Sequence, residues 1–94
     1  MPAAAEAAAE YEALFSALRD ARDAYGNLRR MGRRLSDREL ARDENYHRFH
    51  QCGMRIAYIG GEAAILGAIR AMSSEGADED DLQRYWAGMG TWTH

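Results

Sequence analysis

Apolar residues recur along the chain with the period of an α-helix, and the first such segment lies in the N-terminal third. An a/d heptad pattern starts at Tyr11 and reaches Leu35, and Phe15 widens its apolar stripe. The pattern predicts a helix from about residue 3 to about residue 34. An earlier end, at the helix-terminating signal of Gly26, stays open.

A capping-box pattern begins the second segment, because Ser36 is a good N-cap residue and Glu39 follows three positions later. Sparse apolar residues come next and lead into a strongly apolar stretch without losing helical phase. The pattern therefore predicts one long central helix from about 37 to about 73. A break near residue 53 or near residue 60, where glycines occur, stays open.

Residues 52–72 form an apolar run in which only three side chains are charged. The run is apolar on nearly every helical face, so one neighbouring helix cannot cover it. It is long enough to cross a bilayer, but its charges and paired glycines argue against a membrane span. Small residues recur at four-residue spacing, which favours close approach of another helix.

The run therefore predicts a homodimer built around a two-fold axis, with a monomeric bundle as the alternative. The predicted oligomer interface consists of Gly53, Ile56, Ala57, Gly60, Gly61, Ala64, Gly67 and Ala68.

Four consecutive acidic residues, 78–81, precede a short apolar group and favour the start of a last helix from about 79 to about 87. The tail, 88–94, places Trp92 among polar and glycine neighbours. A tryptophan in such a context folds back onto its domain or inserts into a partner.

The composition indicates one globular domain, 1–94, with 47% hydrophobic and 29% charged residues. Valine is absent while alanine, leucine and arginine are frequent, which favours helix over strand. The predicted fold class is all-α, a small bundle of three to four helices with a long central apolar helix. The single Cys52 and the absence of a secretory signal pattern predict a cytoplasmic protein.

All basic residues other than histidine are arginines, and six of the twelve lie within residues 29–42. This density suits bidentate contacts with an acidic protein surface or with phosphates. The net charge of −3 and the lack of interleaved aromatic residues favour a protein partner, and nucleic acid is the alternative. The predicted partner-binding residues are Arg29, Arg30, Arg33, Arg34, Arg38, Arg42, Trp86 and Trp92.

A cluster of Asp43, Glu44, His47 and His50 has the helical spacing of a metal site. The apolar seam of the first helix supplies no further carboxylate, so a polar helix face is the competing interpretation. No nucleophile–base pair or phosphate-binding loop is recognisable, and we predict neither a cofactor nor catalysis. The sequence thus favours a protein-binding module, an adaptor, regulator or stoichiometric inhibitor, with a metal-binding bundle as a third hypothesis.

Overall fold

The structure is a computed structural model that describes the backbone of residues 2–32 and 34–90 and the side chains of residues 9–32 and 34–90. No strand occurs within these ranges, which confirms the predicted all-α class. The helices are, in chain order, α1 (Pro2–Arg29), α2 (Asp37–Arg42), α3 (Glu44–Ser74) and α4 (Glu79–Tyr85).

α1 ends at Arg29, earlier than the predicted end near residue 34. The backbone N–H groups of Met31 and Gly32 donate to carbonyls three residues back rather than four, which tightens and closes the last turn. Gly32 then has a φ of 72°, the left-handed conformation that commonly follows a helix. Leu35 keeps the apolar pattern and is buried, but it reaches the core from the connection after the helix.

The capping box at Ser36 is present: its Oγ accepts from the Glu39 backbone N–H (3.2 Å), and its own N–H donates to Glu39 Oε1 (3.1 Å). The helix predicted from residue 37 is nevertheless interrupted at Asp43, whose backbone is extended. The Asp43 carboxylate accepts from the N–H of Tyr46 (3.0 Å) and so caps α3. The central segment therefore begins as two helices.

α3 is divided at Gly61, where φ is 70° and ψ is −163°, a combination essentially restricted to glycine. We call residues 44–60 the first arm and residues 62–74 the second arm. The division lies at one of the two places where the sequence left a break open. The other, Gly53, is helical within the first arm.

The two arms run in opposite directions. The Tyr25 ring on α1 lies 5.9 Å from the Phe49 ring, and Tyr25 also lines a cavity with Met72. In a straight helix, the 23 positions from Phe49 to Met72 would span about 35 Å, so one tyrosine could not reach both. The chain therefore reverses at Gly61, and the fold is a three-helix bundle of α1 and the two arms, with α2 and α4 packed against α3.

The reversal covers much of the apolar run, because each arm now packs against the other arm and against α1. α1 contributes small and aromatic residues to this core, among them Ala17, Ala21 and Tyr25. The buried residues of α3 are Phe49, Cys52, Gly53, Ile56, Ile65, Ala68, Ile69 and Met72.

By length and composition alone, α3 is the one helix in the described part of the chain that could cross a membrane. Its most apolar window has a mean hydropathy of 1.2 and is 33% buried inside the fold. Each arm taken separately is shorter than the about 20 residues that a membrane-spanning helix needs.

Trp86, directly after α4, fixes the last helix to the bundle. Its side chain is fully buried and stacks on Phe49, with ring centroids 4.5 Å apart and planes 9° from parallel. The indole Nε1 donates to the backbone carbonyl of Phe49 at 2.8 Å. Gly53 makes this possible, because a Cβ at that position would lie 2.4 Å from Nε1.

Candidate functional site

An apolar groove runs between α1 and the second arm. It encloses about 200 Å³, and every residue that lines it is apolar or glycine. We call the following set the apolar groove: Tyr11, Leu14, Phe15, Leu18, Ile56, Ala64, Gly67 and Ala68.

One wall of the groove is an aromatic pair on α1. Tyr11 and Phe15 lie one helical turn apart, with ring centroids separated by 6.4 Å, and each is 63% exposed. Aromatic side chains of this size bury about 150–250 Å² each when they are covered. Leaving both largely in water is typical of a surface that another molecule contacts.

The floor of the groove is made of small side chains on the second arm. Gly67 is exposed, and a Cβ built there would meet no atom within 4 Å. Ala64 is half-buried, and Ala68 lies deeper, next to the core. Because these residues carry little or no side chain, another helix backbone could approach the second arm closely.

The structure brings together half of the predicted oligomer interface. Gly53 faces Trp86 inside the chain, Gly60 and Gly61 lie exposed at the reversal, and Ala57 is half-buried beside the core. The predicted interface residues that do line the groove are Ile56, Ala64, Gly67 and Ala68.

The arginines of residues 29–42 do not form one continuous surface. Arg29 donates to the carbonyl of Gly76 (2.7 Å) and Arg30 donates to Asn27 Oδ1 (3.3 Å), so both make contacts within the chain. Arg34 lies exposed in the connection after α1. The α2 residues Arg38 and Arg42 are exposed, and Arg33 lies outside the described residues.

A cleft of about 330 Å³ near the C-terminal end of α1 is lined by side chains of both charges. Arg29 and Arg34 line it together with Asp81, above the rings of Tyr25 and Tyr85. Burial raises the pKa of the Asp81 carboxyl, as does a neighbouring carboxylate, while Arg34 lowers it. Burial also raises the pKa of Tyr85, and Asp81 adds to that shift.

An adjoining cleft also combines positive and negative side chains. In it, Arg84 donates both to Asp37 Oδ1 (2.7 Å) and to the carbonyl of Leu35 (2.9 Å). Carboxylates beside each of these guanidinium groups make this a charge-balanced surface. A nucleic-acid-binding surface requires an excess of positive charge.

Trp86 is not placed to contact a partner. It was predicted as a partner-binding residue together with Trp92. The structure buries it completely, since Gly53 leaves room for the indole to lie flat on the first arm. The other tryptophan of that prediction, Trp92, lies outside the described residues.

The histidine and acid cluster does not converge on a common point. The Asp43 carboxylate is occupied as the cap of α3. His47 Nε2 lies 2.7 Å from the carbonyl of Ala41, and His50 Nδ1 lies 3.1 Å from the carbonyl of Tyr85. Among the described residues, no group of three or more histidine, cysteine, aspartate or glutamate side chains is placed to hold a metal ion.

Comparison of the chain with protein-family models, with curated proteins and with solved structures finds no match. The candidate site therefore rests on geometry. The heptad pattern predicts Tyr11 in the core seam and Phe15 beside it, where it widens the apolar stripe. Both side chains are largely exposed in the structure, because the second arm lies beside α1 without covering them.

Proposed function

We propose that the protein is a small protein-binding module that works as a homodimer and catalyses no reaction itself. The observation that carries this proposal is the exposed aromatic pair, Tyr11 and Phe15, beside the small-residue floor at Ala64 and Gly67. The occupant proposed for the apolar groove is a second copy of the chain.

Shape supports a second copy as the occupant. A two-fold interface uses the same patch on both molecules, so the patch must carry a protrusion and a matching depression. Phe15 supplies the protrusion, and the groove floor at Gly67 supplies the depression on the neighbouring helix. In the proposed dimer, Phe15 of each copy lies against the second arm of the other.

Charge supports the same arrangement. Glu12 and Arg19 are exposed on α1, three residues before and four residues after Phe15, and therefore flank it on one helix face. If two α1 helices pair antiparallel about an axis beside Phe15, Glu12 of one copy lies opposite Arg19 of the other. Two attractive pairs result, one on each side of the axis.

The available area is consistent with an interface of standard size. The exposed parts of Tyr11 and Phe15 amount to about 250 Å² per copy, taking about 200 Å² for each side chain. A stable interface buries about 800 Å² per partner. The aromatic pair thus supplies close to a third of that area, and the groove floor and the flanking charged residues supply more.

A role as adaptor, regulator or inhibitor needs a further surface for the partner protein. Arg38 and Arg42 are exposed on α2, outside the apolar groove, and we propose them as contacts for an acidic partner.

The mass in solution tests the dimer. Light scattering coupled to size exclusion should give about twice the 10.6 kDa of one chain. Tyr11→Ser should give the single-chain mass, because it removes one of the two aromatic side chains that form a wall of the groove. Tyr58→Ser is the matched control, since Tyr58 is 91% exposed but does not line the groove. A monomeric wild type, or a Tyr11→Ser variant that stays dimeric, would overturn the proposal.

A charge exchange tests the orientation. Glu12→Arg and Arg19→Glu should each weaken the dimer, because each places like charges opposite one another. The double variant restores opposite charges and should recover most of the affinity. Additive weakening in the double variant would rule out the antiparallel arrangement while leaving the groove as the contact.

A further inference from the structure

We infer that the second arm together with α4 forms a segment that two copies of this chain can exchange, with Gly61 as the hinge. The exchanged interface is the one that holds the second arm against α1 and the first arm within a single chain. This goes beyond the proposed groove dimer, in which two intact bundles dock.

The hinge is a single residue. Only the Gly61 dihedrals separate the first arm from the second, and they lie in a region that other residues avoid. Gly60 is constrained as well, because a Cβ there would lie 2.5 Å from the Cβ of Ala64. In a straight helix, side chains four apart are separated by about 5–6 Å. The reversal therefore depends on glycine at both positions, whereas a straight α3 does not.

The second arm is held mainly by contacts that an identical chain can supply equally well. No side-chain hydrogen bond or ion pair anchors residues 62–70 to the rest of the described chain. Ile65, Ala68 and Ile69 hold this part of the arm by burial in the core. Apolar packing of this kind forms identically whether the arm belongs to the same chain or to a second one.

A straightened α3 also matches the length of its neighbour. A helix of the 31 residues of α3 is about 46 Å long, and the 28 residues of α1 span about 42 Å. In the exchanged dimer, each second arm crosses to the other bundle. Trp86 then stacks on the equivalent Phe49 of the second copy, so the contacts of the segment are recovered.

Crosslinking can identify which chain a second arm belongs to. Arg22 lies before the hinge and Glu75 after it, and their side chains form an ion pair at 2.5 Å. Cysteines at these two positions, in a Cys52→Ala background, can be joined by a short bismaleimide. Phe15→Glu is included throughout to remove groove association. The crosslink lies within one chain in the hairpin and joins two chains in the exchanged dimer.

In this background, Gly61→Ala should double the mass and shift most of the crosslinked protein to the two-chain band on a denaturing gel. Gly67→Ala is the matched control, since it makes the same substitution on the second arm, where the backbone is helical and no atom lies within 4 Å. It should stay a crosslinked single chain. If folded Gly61→Ala protein crosslinks within one chain, the inference is overturned.

A second measurement keeps Gly61 intact, in case the alanine variant does not fold. The crosslinkable protein is unfolded in denaturant and refolded at rising concentration, because exchange is bimolecular whereas the hairpin is not. The two-chain band should rise at least tenfold between dilute and concentrated refolding. A band that does not change with concentration overturns the inference. The groove proposal is unaffected by either result, since Phe15→Glu has removed that contact.

Discussion

The contact between Gly53 and Trp86 makes a sharp prediction about stability. In Gly53→Ala, the added Cβ would lie 2.4 Å from Nε1, 2.6 Å from Cδ1 and 2.7 Å from Cε2 of the indole. Three ring atoms at such distances mean that the ring as a whole must move. Movement disturbs both the stack on Phe49 and the hydrogen bond to its carbonyl.

Three contributions set the change in the free energy of unfolding, one that stabilises the variant and two that destabilise it. Alanine in place of a mid-helix glycine gains about 1 kcal/mol in helix propensity. Overpacking in a core costs about 1–3 kcal/mol, and a buried donor that loses its acceptor costs about 1–3 kcal/mol more. The net expectation for Gly53→Ala is a loss of about 1–5 kcal/mol. That is a large part of the about 5–15 kcal/mol that a domain has in total.

Urea unfolding followed by circular dichroism measures this difference. Gly26→Ala is the control, because Gly26 lies within α1 and a Cβ there meets nothing within 4 Å. It should raise the free energy of unfolding by about 1 kcal/mol. The two substitutions are chemically identical, so opposite signs isolate the contact with Trp86. If Gly53→Ala is as stable as the wild type, the indole does not lie on the helix backbone as described.

Three further predictions concern a cap, a tyrosine and the histidines. Ser36→Ala should lower the free energy of unfolding by about 1 kcal/mol in urea, because it removes the acceptor of the capping box, whereas Ser16→Ala, at an exposed position within α1, should not. Burial raises the pKa of Tyr85, so the unfolded chain ionises first above pH 10 and stability should fall there; Tyr85→Phe should flatten that fall in alkaline melting curves and change little at pH 7. A chelator should leave the melting temperature unchanged; a drop that disappears in the His47→Ala, His50→Ala double variant would show that these histidines hold a metal.

Local features of the fold were predictable because they depend on neighbouring residues. The heptad of α1 and the capping box at Ser36 and Glu39 are examples. The interruption at Asp43 was missed although its signal was present. Aspartate is a strong N-cap residue, but the helical spacing of Asp43, His47 and His50 suggests a metal site or a polar helix face instead of a cap. The cap explains why that carboxylate points to the helix start.

The reversal at Gly61 could not be read from the pattern. Apolar phase continues across it, and the same phase fits a straight helix. The φ and ψ angles of Gly61 set the direction of the second arm. Their values depend on whether a hairpin or an extended helix gives the core the lower free energy. The signal in the sequence was the adjacent pair Gly60-Gly61, which costs helix stability in the middle of an apolar run.

The reversal also changes what the small residues explain. If the apolar run were one straight helix, another molecule would have to cover a whole face of it. Every glycine in the run would then belong to the predicted oligomer interface. In the hairpin, Gly60 and Gly61 are required by the turn, and Gly53 is required by Trp86. Ala64 packs against Gly60 at the turn, but Gly67 has neither explanation, and it lies beside the aromatic residues that the fold leaves exposed. Two intact copies would therefore dock through the apolar groove and the charged residues that flank Phe15, and substitutions at these positions decide the question.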